Sequence, residues 1–192
     1  MKYLLLIIAL CFSLAVSYDE EYAYAVKLGF PVTMSTLYDA SCGNYQLDNV
    51  QREGSGLCQS WVAGSNDVQQ WIQVSSIVPQ TWEGVITQGR GDAPQWVTNF
   101  MVLYSDDGVN WTAVDDGRVF QGNSDQNTHV TNYFDTPVTA RTLRIKPTAW
   151  NSYISMRFDA LFQLEDVPKE TPIEAPVMPL KSRTRAVATA SP

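Results

Sequence analysis

Apolar side chains recur at every second position through most of this chain and almost nowhere at the spacing of a helix face. Trp82–Thr87 is rich in β-branched and aromatic residues, lacks proline and ends at the polar run Gln88-Gly89-Arg90-Gly91-Asp92, which predicts a strand. Trp96–Ser105 predicts a second, with Phe100, Val102 and Tyr104 on one face and Asn99 and Met101 on the other. Ser105-Asp106-Asp107-Gly108 then supplies a turn. Val68–Val74 alternates with Val68, Ile72 and Val74 facing one way. Val119–Phe120 and Val130–Phe134 are short strand candidates around the turn-rich run Gln121–Thr128, and Arg141–Lys146 turns Leu143 and Ile145 inward. The last strand is the longest pattern: Ile154, Met156, Phe158, Ala160, Phe162 and Leu164 alternate with polar residues, and only Leu161 breaks the rule. Leu28–Arg52 is interrupted by Gly29, Pro31 and Gly43 and is predicted to be looped and exposed. Many short strands without βα alternation mean an antiparallel sandwich or barrel.

The ends of the chain differ from this body. Met1–Ser17 carries one charge, Lys2, then an apolar run and the small residues Ala15 and Ser17, the layout of a signal peptide. A secreted, extracellular protein is expected, beginning near Tyr18 in an oxidising compartment. Tyr18–Lys27 is acidic and Tyr-rich and is read as a lead-in; residues 28–165 form the domain. Residues 166–192 hold five of the ten prolines and scattered charge, the composition of a disordered tail.

Removing the leader takes Cys11 with it and leaves Cys42 and Cys58. These either bond to each other or stand as free or intermolecular thiols. Between leader and tail the body carries 8 basic against 17 acidic residues. That balance excludes nucleic acid, which needs a basic footprint, and leaves weak or no binding to anionic membranes. His129 is the sole histidine, so a zinc cluster or a Ser-His-Asp triad has nothing to assemble around, and no enzyme is expected.

Six stretches occur in a telling order: GVITQGR (Gly84–Arg90), QWVTNF (Gln95–Phe100), YSDDGVNW (Tyr104–Trp111), FQGNSDQNT (Phe120–Thr128), ARTLRIKPTAW (Ala140–Trp150) and ISMR (Ile154–Arg157). Together with Cys58–Val74 and Leu28-Gly29-Phe30, they resemble the discoidin domain, also called the coagulation factor V/VIII type C domain, over roughly Leu28 to Gln163. The resemblance implies an all-β, antiparallel jelly-roll β-sandwich of the galactose-binding-domain-like kind. It also implies that loops at one end bind glycans, phospholipid headgroups or protein ligands without catalysis. Two departures stand out. No cysteine lies near Leu164 to tie the termini together, and Gly91 sits where some relatives have a cysteine, so Cys42 is the partner left for Cys58. The segment Met34–Asn44, in the place of a specificity loop, is atypical.

Four loops resemble the family's ligand loops: Thr36–Tyr45, Trp61–Asp67, Arg90–Trp96 and Trp150–Tyr153. They supply Tyr38, Asn44 and Tyr45; Trp61, Asn66 and Asp67; Arg90 and Asp92; and Trp150, Asn151 and Tyr153. Aromatic faces against sugar C–H patches, with Asn, Asp and Arg meeting hydroxyls in pairs, suit a glycan. Asp67 serves equally well as a turn cap. Trp71, Trp82, Trp96 and Trp111 are read as core or sheet-covering residues, and Arg157 as half of a buried ion pair. Arg90-Gly91-Asp92 is also the integrin-binding tripeptide, which makes a protein receptor the alternative partner. Asp39, Asp48, Asn49 and Glu53 are oxygen-rich enough for a structural calcium ion, no other cofactor being implied. Asn110-Trp111-Thr112 is a glycosylation sequon at a hairpin end. The expected protein is a lectin-like cell-adhesion module for cell-surface or matrix glycans, with homo-oligomers supplying avidity.

Overall fold

The computed structural model describes residues 22–49 and 56–163. Within them the strands are β1 (Tyr22–Tyr24), β2 (Val32–Met34), β3 (Trp61–Val62), β4 (Ile72–Gln88), β5 (Trp96–Ser105), β6 (Thr112–Ala113), β7 (Phe120–Gln121), β8 (Val130–Asn151) and β9 (Ser155–Gln163). Two 3₁₀ turns, Ala40–Cys42 and Val114–Gly117, are the only helical elements among the described residues. The predicted leader, the tail and Glu53 lie outside the described residues.

Every strand pair is antiparallel. Two long strands make the sandwich. The first part of β4, Ile72–Ser75, pairs with Thr142–Ile145 of β8, with β2 on its other side. The register then breaks between Ser75 and Gln80, at Pro79, where Ile77 and Val78 stand in solvent. Beyond the break, the second part of β4 lies between the start of β8 and β9. β5 joins the end of β8, and β1 joins β9. The β4–β8 pair therefore runs from one layer into the other, as the jelly-roll expectation requires.

Aromatic side chains fill the space between layers. Trp82, Phe30 and Phe162 meet edge-on or tilted at 5.2–6.4 Å between ring centroids. Phe100 stacks on Phe120, and Phe120 meets Phe134. The Trp82 indole is fully buried and donates to Ala140 O at 2.8 Å, so its one polar atom is satisfied. Truncating a buried Trp of this kind to Ala costs about 3–5 kcal/mol. Trp71 and Trp111 cover the sheet as predicted: the Arg144 guanidinium lies between their rings, 3.9 and 3.6 Å from the centroids.

Four features differ from the sequence reading. Tyr22–Tyr24, placed in the lead-in, is a strand paired with Leu161–Gln163, and Ala23, Ala25 and Val26 are buried there. Val68 is half-exposed in a turn, the strand beginning only at Ile72. Val130–Phe134 and Arg141–Lys146 are parts of one 22-residue strand. Finally, β9 is buried at every position from Ser155 to Phe162, polar positions included. Buried there, the Asp159 carboxylate accepts from Val26 N, Lys27 N and Ala160 N at 2.7–3.0 Å, pinning the turn after β1. Burial outweighs those bonds and raises its pKa to about 6.

Candidate functional site

Arg157 organises the loop end. Its side chain is 2% exposed, and its partners among the described residues are oxygens rather than the carboxylate predicted for an ion pair. Nε donates to Gly89 O at 2.8 Å, and Nη2 to Gln126 O at 2.8 Å and Asn127 Oδ1 at 3.0 Å. Nη1 reaches Asn49 O at 3.5 Å. One guanidinium fork thus fixes the loop after β4 against the loop before β8 and the segment near residue 49. Burial lowers its pKa from the ordinary arginine value, and Asp48 and Asp92 oppose that shift.

The loops converge on a disulfide. Cys42 and Cys58 are bonded, with Cα atoms 4.6 Å apart, closing a loop of sequence separation 16. Val62 and Tyr153 pack around it. Asn44 Nδ2 braces the same junction by donating to Ser41 O and Cys58 O. The Arg90 guanidinium reaches Cys58 Sγ at 3.5 Å and makes a two-pronged pair with Asp92, Nε–Oδ1 at 2.9 Å and Nη2–Oδ2 at 2.7 Å. The Arg90 guanidinium, with help from Gln59 N, holds the Asp92 carboxyl below the usual carboxylate range. Gln59 and Gln95, which the sequence did not single out, complete the loop. Gln59 N donates to Asp92 Oδ1, and Gln95 Oε1 accepts from Arg90 Nη1.

This pairing bears on the integrin alternative. The Arg90 side chain is 17% exposed and Asp92 29%, and each holds the other. Gly91 N donates to Gln59 O at 3.2 Å and Gly91 O accepts from Gln126 Nε2 at 3.1 Å, so the tripeptide lies against the fold. A presented Arg-Gly-Asp sequence would need both charges free and pointing apart.

The structure sorts the remaining predicted residues. Tyr38 is 64% exposed and meets Tyr153 edge-on, centroids 6.2 Å apart, and Tyr153 packs on the disulfide that the Arg90 guanidinium also reaches. Trp61 is corrected: it is fully buried, its Nε1 donating to Thr36 O, and no ligand can reach it. Tyr45 packs on Phe158 at 6.3 Å, and Trp150 also packs against the core. Asn66 is consumed by Ser152 O and Ile154 N, and Asp67 by Gln69 N and Gln70 Nε2, so Asp67 is the turn cap. Asn151 Nδ2 donates to Pro94 O, leaving its carbonyl oxygen available.

Two of the four residues proposed for calcium, Asp39 and Asp48, have protein partners. Asp39 caps the Ala40–Cys42 turn, accepting from Ser41, which lowers its pKa. Asp48 Oδ1 accepts from Gln88 Nε2 and lies 3.0 Å from His129 Nε2. Among the described residues no three His, Cys, Asp or Glu side chains gather into a metal site. Asn110 is exposed, its Nδ2 donating to Asp107 Oδ2 at 2.7 Å.

Known proteins resemble this chain in sequence and fold. Residues 33–159 match the F5/8 type C domain family. A Discoidin-1 polypeptide of Dictyostelium discoideum is 42% identical over 99 residues, 52% of this chain and 39% of that protein. Lactadherin of Mus musculus is 38% identical over 121 residues, 60% of this chain and 25% of that protein. The chain thus spans well under half the length of these curated relatives. The native structure of discoidin II of Dictyostelium discoideum superposes with a TM-score of 0.71 at 30% identity, covering 74% of this chain and 59% of that one. With two layers of antiparallel strands, loops bound to one another at one end and a match across most of the described residues, this chain belongs to the F5/8 type C, or discoidin, domain family.

Proposed function

We propose that this chain is a secreted, non-enzymatic lectin-like module that binds cell-surface or matrix glycans through its loop end and serves cell adhesion. One observation carries the reading: the exposed Tyr38 ring stands against Tyr153, which packs on the same disulfide that the Asp92-paired Arg90 guanidinium reaches. Stacking surface beside paired donors and acceptors is what a neutral sugar needs. The disulfide and the Arg157 fork preorganise that face, so little ordering cost falls on binding. Secretion is supported by the apolar stretch at Met1–Ser17 and by the disulfide. Asn110, exposed at its hairpin end, is the proposed glycosylation position. Individual sugar contacts are weak, so several copies acting together would supply the avidity that adhesion requires.

A second reading has one observation in its favour. Leu37 and Leu57 are exposed beside Tyr38 and Cys58, an apolar tip suited to a phospholipid surface. A glycan array run beside anionic liposomes separates the two. Sugar-specific retention, lost in Tyr38→Ala with an unchanged melting temperature, supports the glycan reading. Binding to liposomes that weakens with salt, with no glycan retained, overturns it.

A further inference from the structure

Beside the loop end, β5, β7 and the start of the following loop enclose an open groove of about 590 Å³. Its size falls within the range of roughly 300–1,000 Å³ usual for small-ligand sites. Its floor is close-packed: Gly122 N donates to Thr98 O at 2.7 Å and Asn123 N to Val97 O at 2.9 Å, and a side chain at Gly122 would strike Val97 O. None of the residues lining it is charged. Thr98, Asn99, Gln121 and Ser124 contribute two hydroxyls and two carboxamides, and among the described residues these side chains make no hydrogen bond to the protein. The contrast with the loop end is sharp, since Asn44, Asn66 and Asp67 there are spent on holding the backbone.

We propose that this groove is an extension subsite for a neutral oligosaccharide, receiving the sugars that follow the one held at the loop end. The inference rests on the glycan reading and deepens it. Continuity comes from two residues: Trp96 closes the Arg90–Trp96 loop and Asn151 lies within the Trp150–Tyr153 loop, and both line the groove. An uncharged lining gives an anionic headgroup or a phosphate nothing to pair with, whereas unspent amides and hydroxyls can each exchange bonds with sugar hydroxyls. The Trp96 ring supplies the apolar surface that a sugar's C–H face requires.

The test titrates the protein with cello-, chito- and galacto-oligosaccharides of one to four units, following amide shifts by ¹⁵N NMR and affinity by calorimetry. The comparison is with the double variant Gln121→Ala, Ser124→Ala; both positions are exposed, so the fold is undisturbed. For the ladder that binds, wild-type affinity rises with length and the added units shift the amides of Asn99, Gln121 and Ser124. The double variant keeps the affinity for one unit and loses about tenfold for the longer ones, the worth of one or two hydrogen bonds to neutral groups. Affinity independent of length, or a double variant indistinguishable from wild type, overturns the subsite while leaving the loop-end reading intact. Binding abolished by the double variant but untouched by Tyr38→Ala places the sugar in the groove and overturns the loop-end reading instead. Absence of binding to every ladder overturns both.

Discussion

Replacing Arg157 by methionine tests whether the loop end is held from beneath. The substitution keeps the volume and removes a buried charge, which by itself favours the folded state. Against that, Gly89 O loses a donor at 2.8 Å inside the fold, and the part-buried Gln126 O and Asn127 Oδ1 lose theirs at 2.8 and 3.0 Å. A buried acceptor left unsatisfied costs about 1–3 kcal/mol, and three acceptors sharing one donor group do not add fully. The expected loss is about 1–3 kcal/mol of stability. Arg157→Lys should recover only a minor part, because an ammonium cannot span oxygens in two loops as a planar fork does. Guanidinium chloride denaturation gives the stability change, and ¹⁵N relaxation reads whether Gly89–Arg90 and Gln126–Asn127 become mobile together. A methionine variant within about 0.5 kcal/mol of wild type, the ordinary range for surface substitutions, and with rigid loops would mean that the fork holds nothing in place.

Reducing the Cys42–Cys58 bond, or replacing both residues by Ala, should lower stability by about 3 kcal/mol, as expected for a loop near 16 residues, with denaturation midpoints compared with and without reductant. Asp159 gives the pH dependence. Its folded pKa, near 6, lies above the reference value of 3.8, so the folded state binds the proton more tightly. Its contribution is therefore fully present below about pH 4 and is lost as pH rises through 6, on the order of 3 kcal/mol across that window. Asp159→Asn should flatten that part of the urea-midpoint profile, and an unchanged profile would contradict the assignment. Because Arg90 and Asp92 hold each other, integrin-bearing cells should spread no better on the protein than on its Asp92→Glu variant.

The hydrophobic pattern made β5 legible to its ends, because Phe100 and Val102 are buried between partly exposed neighbours; the alternation slips at Thr98-Asn99, where the pairing with β8 shifts register, and at Leu103-Tyr104. β8 reads as two strands because Pro137 and Pro147 interrupt its pattern. Pro137 lies where pairing skips from Tyr133 to Val138, and Pro147 lies beyond the last pairing with β4, both places that tolerate a missing N–H. β1 reads as a lead-in because Ala23 and Ala25 are small; they are small because they pack closely against β9. Arg157 and Asp159 carry a misleading signal: alternation says which face a side chain takes, and a strand covered on both faces buries either one. At the site, residue type identified the loops that meet. It could not tell Tyr38, which is presented outward, from Trp61, which the same kind of loop turns into the core.

Whether the loop end binds sugar is read most directly by a ¹⁵N NMR titration with the glycan best retained on an array. Saturable shifts gathered at Tyr38, Arg90–Trp96 and Trp150–Tyr153, all lost in Tyr38→Ala, are the expected result. Shifts confined to other faces, or none at any glycan concentration, would show that the sugar is not held there.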